Sequence, residues 1–363
     1  MEKDLGFRRV QNTGRGSYII SLPKEWVQNM ELKRGSEVSF KMQDDLALVL
    51  TPEKMIDEKR ENEPKLKEYW ILVEQGDDPQ SLYRKITALY VVSADLIHIH
   101  FKDGNSSKYK AMINNLAKNM LLGLEIIDET PDEVTLQILV NQSELPVEKA
   151  IRRMAALTLS ANKDAISLLQ DKSDNLIQSV TDTYQDVNRL NMYVVRQLKF
   201  GLEKNLFREL GFRSPKEFLG YRIVVNDLKS IASNALNIVN NVVALGKLVE
   251  KQALYLKEPA DKEIYSQILN FNSLAHQLFE EALKAMFKRS YEQADAIISK
   301  LESYVTLEND LITIMVSKRL DPNLSLVFRL ALDSARRVAE YSRDVAEVTL
   351  NRTIEEISSV SAL

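Results

Sequence analysis

After Pro146 the chain runs to Leu363 with only three more prolines, Pro215, Pro259 and Pro322. Proline inside a helix removes a backbone donor and clashes with the preceding turn, at a cost of roughly 3 kcal/mol. A stretch this poor in proline can therefore hold long helices, with the prolines as punctuation between them. The apolar pattern agrees. Val224, Leu228, Ile231, Ala235, Ile238, Val242 and Leu245 recur at heptad-like spacing, which places them on one face of a helix. A helix with one such stripe must bury it against others. Residues 146–363 therefore predict a bundle of about six helices, several of them long.

The bundle region also resembles itself. Tyr221-Arg222-Ile223-Val224 aligns with Phe328-Arg329-Leu330-Ala331, and at the same offset Ile231, Ala235 and Ile238 fall on Val338, Ser342 and Val345. VNRLNMYVV (187–195) echoes ENDLITIMV (308–316) at a different offset, so a connecting loop differs in length between copies. Two three-helix repeats explain both echoes.

The first 145 residues follow a different period. FRRVQN, SYIISL, EVSFKM and LALVLT read as short strands, and PKEWVQNM as a short helix with Pro23 at its first position. IDEKRENEPKLKE (56–68) is a charged linker. Beyond it EYWILVE, DLIHIHF, GLEIIDE and EVTLQILV read as strands, with helices at DPQSLYRKITALYVV and SSKYKAMINNLAKNML, which gives a small sheet with helices on one face. The expected fold class is α+β and multidomain. A β-domain spans 1–55, the linker 56–68, a small α/β domain 69–145, and an all-α six-helix bundle of two three-helix repeats 146–363.

Composition limits function. The chain has 363 residues, 45% hydrophobic and 28% charged, as in ordinary globular proteins, with a net charge of −4. Charge is unevenly spread: residues 1–41 hold eight Lys and Arg against five acids, a net of +3, which leaves −7 on the rest. There is no cysteine, so disulfides, thiolate metal sites and cysteine nucleophiles are excluded. No apolar run reaches the ~20 residues of a membrane span, and the N-terminus lacks a signal-peptide core, so a cytoplasmic protein is expected. No phosphate-binding glycine loop occurs. His98 and His100 share a strand face, but two ligands alone do not make a zinc site and nothing near them supplies cysteine; His276 has no evident catalytic partner, so no enzyme is expected.

The stretch GRGSYIISLPKEWV (14–27) runs a strand directly into a helix, with Arg15 held in the preceding turn. About 50 residues cannot bury Tyr18, Ile20, Leu22, Val38, Phe40, Met42, Leu46, Leu48 and Leu50 well alone, and with no cysteine to staple them a partner chain is expected. The order of strand, G-R-G turn, strand ending L-P-K, short helix, L-K-x-G and two strands resembles the AbrB/MazE/SpoVT swapped-hairpin DNA-binding domain, over roughly residues 5–52. That resemblance implies a homodimer whose Arg8, Arg9 and Arg15 face DNA, with Lys24 at a phosphate.

Residues 146–363 resemble PhoU, the phosphate-uptake regulator. In that family an acidic motif faces an acid on a neighbouring helix, and together these can hold metal. Here the motif reads Asp227-Leu228-Lys229-Ser230-Ile231-Ala232-Ser233 in the first copy and Ser334-Ala335-Arg336-Arg337-Val338-Ala339-Glu340 in the second, with Asp344 one turn on. The resemblance implies a divalent or iron-type metal on the bundle, with Glu340, Asp344, Asp186 and Glu308 as ligands and Asp310 nearby. The other reading is a charged stripe paired with arginines, among them Arg337 and Arg343, in which Arg222 and Arg329, at equivalent repeat positions, fix helix register. An AbrB-like start fused to a PhoU-like end is similar to archaeal phosphate-uptake regulator-like proteins. The middle segment, with LLGLEIIDE and EVTLQILV before LPVEKAIRRM, resembles theirs. The resemblance implies a transcription regulator of phosphate uptake that binds operator DNA as a dimer. The alternative is an adaptor that docks on a phosphate ABC transporter or sensor kinase and uses its N-terminus only to dimerise.

Overall fold

The computed structural model describes residues 6–13, 16–42, 47–53, 66–102, 106–140, 145–170, 173–250, 259–318, 320 and 322–358. Arg15, Leu46 and residues 56–65 of the expected linker lie outside the described residues. The chain divides into two compact units, Met1–Leu66 and Lys67–Leu363.

In the first unit β1 (Gln11–Thr13) and β2 (Ser17–Ile19) form an antiparallel hairpin with Asn12 opposite Tyr18. Helix α1 (Lys24–Asn29) follows within a few residues. Pro23 is its N-cap, with φ −61 and ψ 129, one place before the expected first helical position. Its extended ψ stops the helix extending backwards, and its carbonyl accepts the first helical bond, from Val27 N at 3.0 Å. A second antiparallel hairpin joins β3 (Val38–Met42) to β4 (Leu48–Pro52), with Val38, Phe40 and Met42 opposite Pro52, Leu50 and Leu48. Alternate strand residues share a face, so this hairpin carries one continuous apolar face. The end of that face nearest the turn is uncovered: Phe40 is 64% exposed, Met42 67% and Leu48 58%. Pro52 is the one buried residue among the described residues of this unit.

The second unit begins with a four-stranded sheet, β5 (Glu68–Val73), β6 (Leu96–Phe101), β7 (Leu124–Glu129) and β8 (Glu133–Ile138), in the order β5-β6-β8-β7. β5 and β6 are parallel, and α2 (Pro79–Val91) is the crossover between them. Asp78 caps α2 by accepting from Gln80 N at 3.1 Å, and Pro79 opens the helix. Helix α3 (Ser107–Asn115) continues into a π-helical turn, Leu116–Met120, where one straight helix was expected. There Leu121 N reaches back to Leu116 O at 3.0 Å, and Leu116 and Leu121 both lie in the core. Ile71, Ile97, Ile99, Phe101, Val134 and Leu136 pack against Ile86 and Tyr90 of α2 and Ile113 of α3. As expected, the helices cover one face only. Gly123 enters β7 at φ +71, where a Cβ would come 2.5 Å from Val140 Cγ2, so no other residue fits without displacing it.

Six helices follow: α4 (Val147–Gln170), α5 (Asp174–Lys204), α6 (Glu217–Glu250), α7 (Pro259–Lys288), α8 (Tyr291–Ser317) and α9 (Pro322–Ile357). Pro259 and Pro322 are first residues of their helices and Pro215 just precedes α6, as their punctuating role requires. The stripe on α6 is buried from Val224 to Ile238. The repeat is visible in burial: Ile231, Ala235 and Ile238, and their equivalents Val338, Ser342 and Val345, are all 2% exposed or less. Helices α4, α5 and α6 pack on one another, as do α7, α8 and α9. Equivalent helices then meet across the bundle, α4 with α7 and α6 with α9. At Gly220 the α6–α9 approach is close enough that a Cβ would sit 2.8 Å from Val348 Cγ1.

Sheet and bundle share a boundary within this unit. Val91 and Val140 pack against both cores. The buried Arg196 of α5 donates to Tyr90 O at 2.7 Å, stands 5.2 Å over the Tyr90 ring and pairs with Asp95 at 3.6 Å. Lys67, at the start of this unit, bonds Asp95 through its backbone N at 2.8 Å and Glu203 of α5 through Nζ at 2.6 Å.

Candidate nucleic-acid interface and buried acids

Arg8 and Arg9 lie just before β1 and are exposed; Arg8 Nη1 donates to the carbonyl of Phe7 at 2.8 Å. Lys24 is the first residue of α1 and is also exposed. No carboxylate pairs with these three among the described residues. The structure adds Lys33, Arg34 and Lys41, exposed in the same unit, which sequence reasoning counted but did not single out. Exposed cations without acid partners suit a polyanion, because each phosphate they neutralise releases a condensed counterion.

The acids of the bundle are arranged differently from the expected metal site. Glu308 on α8 is 2% exposed and faces Arg336 at 3.5 Å and Arg329 at 4.0 Å. Arg336 also holds Glu340 at 2.9 Å, and Arg329 holds Asp333 at 2.9 Å. Asp344 stands near Asp227 of α6, while Asp186 and Asp310 are exposed on α5 and α8. Glu340, Asp344, Asp186 and Glu308 thus do not converge. Among the described residues no three His, Asp or Glu side chains are placed to share an ion. A resident metal does not fit this donor set, because the four acids do not come together on one ion and two of them, Glu308 and Glu340, face Arg336. Of the two arginines expected to fix register, Arg329 pairs across α8 and α9. Arg222 is exposed and makes no ion pair among the described residues.

Asp227 is the residue that sequence reasoning undervalued. In the sequence it stands inside a motif; in the fold it is 4% exposed and its Oδ2 has no hydrogen-bond partner among the described residues. Burial, reinforced by the neighbouring charge of Asp344, pushes its carboxyl up to about 7. Asp344 is also raised, by burial first and then by Glu347. Two carboxylates from equivalent helices therefore share one poorly solvated space. A second network also went unforeseen. The buried Glu217 at the start of α6 binds Arg289 at 2.9 Å and Arg352 at 3.5 Å, and Arg289 and Arg213 both bind Glu356, at 2.8 and 2.6 Å. These residues line a cleft of about 620 Å³. Their signal in the sequence is only a proline two places before an acid.

The spacing of His98 and His100 puts them on one strand face, and His98 lies 3.5 Å from Glu68 and 3.6 Å from Glu133. His98 and His100 lie on the open face of the sheet. His98 stacks on Trp70 at 5.1 Å and lies 3.3 Å from Thr135 Oγ1. His276 faces Asn162 at 3.0 Å, and burial lowers its pKa.

Comparison with known proteins places two segments. Residues 11–58 match the model of the antidote-toxin recognition protein MazE, a bacterial antitoxin. Residues 151–242 match the PhoU domain, over α4 to α6, the first of the two repeats. Among solved structures, PhoU from Pseudomonas aeruginosa is 20% identical, covers 57% of this chain and 95% of its own, and superposes with a TM-score of 0.46. The phosphate transport system regulatory protein PhoU from Streptococcus pneumoniae is 15% identical, covers 60% of this chain and 99% of its own, with a TM-score of 0.47. No curated protein sequence matches the chain. No described helix is long and apolar enough to cross a membrane. The chain therefore joins a segment similar to the MazE antitoxin family, near its N-terminus, to a segment similar to the PhoU domain in its helical region.

Proposed function

We propose that this protein is a dimeric regulator of phosphate homeostasis that binds operator DNA through its first unit and receives its signal on the bundle. The PhoU-domain match supports the phosphate role, and the MazE-type match supports the DNA-binding one. One observation carries the reading: the apolar face of Phe40, Met42 and Leu48 is uncovered in a unit whose Arg8, Arg9 and Lys24 are exposed. Two chains that close these apolar faces on each other present two sets of cations to one duplex. Phosphate contacts then supply affinity, and arginines reaching base edges supply selectivity.

The test is DNA binding upstream of phosphate-transport genes at two salt concentrations. Wild type should bind in a salt-sensitive way, and Arg15→Ala should bind more weakly. Salt-insensitive or absent binding in both proteins would favour the adaptor, in which the first unit serves dimerisation alone and the bundle docks on a transporter or kinase component.

A further inference from the structure

The two edges of the four-stranded sheet are built differently. β7, at one edge, has a bulge between Ile126 and Asp128 and carries Glu125, Asp128 and Glu129, the last paired with Lys110 at 2.7 Å. Bulges and charges are how proteins keep an edge from pairing. β5, at the other edge, reads Glu-Tyr-Trp-Ile-Leu-Val, with an unbroken register and neither proline nor lysine. No described strand pairs with its outer side. The carbonyls of Lys67 and Val73 accept bonds from the β6 side. Groups alternate along a strand, so the outward-pointing backbone groups are those of Glu68, Trp70 and Leu72. Two of those residues also present large apolar side chains on the open face, Trp70 at 70% exposed and Leu72 at 52%.

We propose that β5 pairs antiparallel with β5 of a second copy of this chain, so that two four-stranded sheets become one of eight strands. The pleat limits the register, because opposite residues must share a face. Setting Trp70 opposite Leu72 of the second copy satisfies this twice over. It places Ile71 against its own mate at the twofold and Tyr69 against Val73 on the core side. Every strand residue except Glu68 then meets an apolar neighbour. Glu68 meets Glu74, for which Lys102, 3.4 Å from Glu74, supplies the countercharge. The interface is isologous, as a twofold requires. Two six-residue strands bury less than the roughly 1,000 Å² of a free-standing interface. The pairing therefore rests on the dimer proposed above, whose tether raises the local concentration of the second strand to the order of millimolar.

The absence of cysteine makes the test clean. In an antiparallel pair without mutual hydrogen bonds, opposite Cα atoms approach to about 4.5 Å, within the range a disulfide spans. Ile71→Cys in the full chain should give a disulfide-linked dimer under mild oxidant, and Glu125→Cys on β7 should not. In unmodified protein, hydrogen exchange should show the amides of Glu68, Trp70 and Leu72 protected. The double variant Trp70→Lys, Leu72→Lys should speed their exchange by at least about 100-fold. If Ile71→Cys stays unlinked and those amides exchange as on a free edge while the protein keeps a dimer's mass, β5 is unpaired and only the N-terminal dimer survives. A monomer's mass with fast exchange overturns both. Protection that persists in the double variant, or that occurs without the Ile71 link, means another occupant and overturns the homotypic pairing.

Discussion

The first unit and the helical bundle both carry regular apolar patterns, but only the bundle buries its own. Phe271 and Phe279 are fully buried among six helices, whereas Phe40, with the same side chain, is 64% exposed. A helix stripe is closed by other stripes of the same chain, and the bundle has six helices to draw on. Two short hairpins and one turn-and-a-half helix have too few layers to close a core. The comparison teaches that one chain closes the bundle's core, and that the first unit leaves apolar surface for a second chain to cover in the proposed dimer.

The largest effect should fall on the closed region. Phe271 stacks on Tyr304 with centroids 4.1 Å apart and is fully buried. Phe271→Ala should destabilise the bundle by about 3–5 kcal/mol in denaturant unfolding and leave the mass of the proposed dimer unchanged. A loss under about 1 kcal/mol would show that the bundle core is looser than the contrast requires.

Next comes the buried acid. A carboxyl held near pH 7 in the folded state, against about 3.9 unfolded, binds more protons when native, so stability falls as pH rises between those values and is level above. Asp227→Asn removes that penalty. It should stabilise the protein at pH 8 by an amount on the order of 3 kcal/mol and have little effect at pH 4. Equal effects at both pH values would assign the gain to packing and not to charge.

The open region should respond in assembly first. Phe40→Asp should weaken self-association by at least about 100-fold in sedimentation, roughly 2.7 kcal/mol, while the melting of the bundle stays in place. A bundle that melts earlier in this variant would break the comparison, because the two regions would then share their stability. The smallest effect is electrostatic. Replacing Arg8 and Arg9 by Ala removes four arginines from a dimer. The slope of log affinity against log salt should become shallower by about 3 to 4, with no change in melting temperature. An unchanged slope would take these two residues out of the DNA contact.

Much of this architecture was readable before folding, and for a local reason. Prolines at helix starts, alternation in β3 and β6, and the stripe from Val224 to Ile238 all report periods of two or 3.6 residues within a short window. What escaped reading involved distant partners. Glu217 looks like any acid near a helix start until Arg289 and Arg352 close around it. Asp186 and Glu308 are alike in sequence, as acids on the helices expected opposite the motif, yet one is exposed and the other buried against two arginines.

The sequence by itself determined the segment types, the twofold repeat, the basic start and the exclusion of cysteine chemistry, because those depend on residue identity and short-range spacing. Only the tertiary structure decided that Asp227 is buried within reach of Asp344's charge, that Arg196 fastens the sheet to α5, and that β5 is an edge among the described strands. Burial and charge pairing are set by whichever side chains the packed helices and strands bring within a few ångströms, and one-dimensional spacing does not encode that distance.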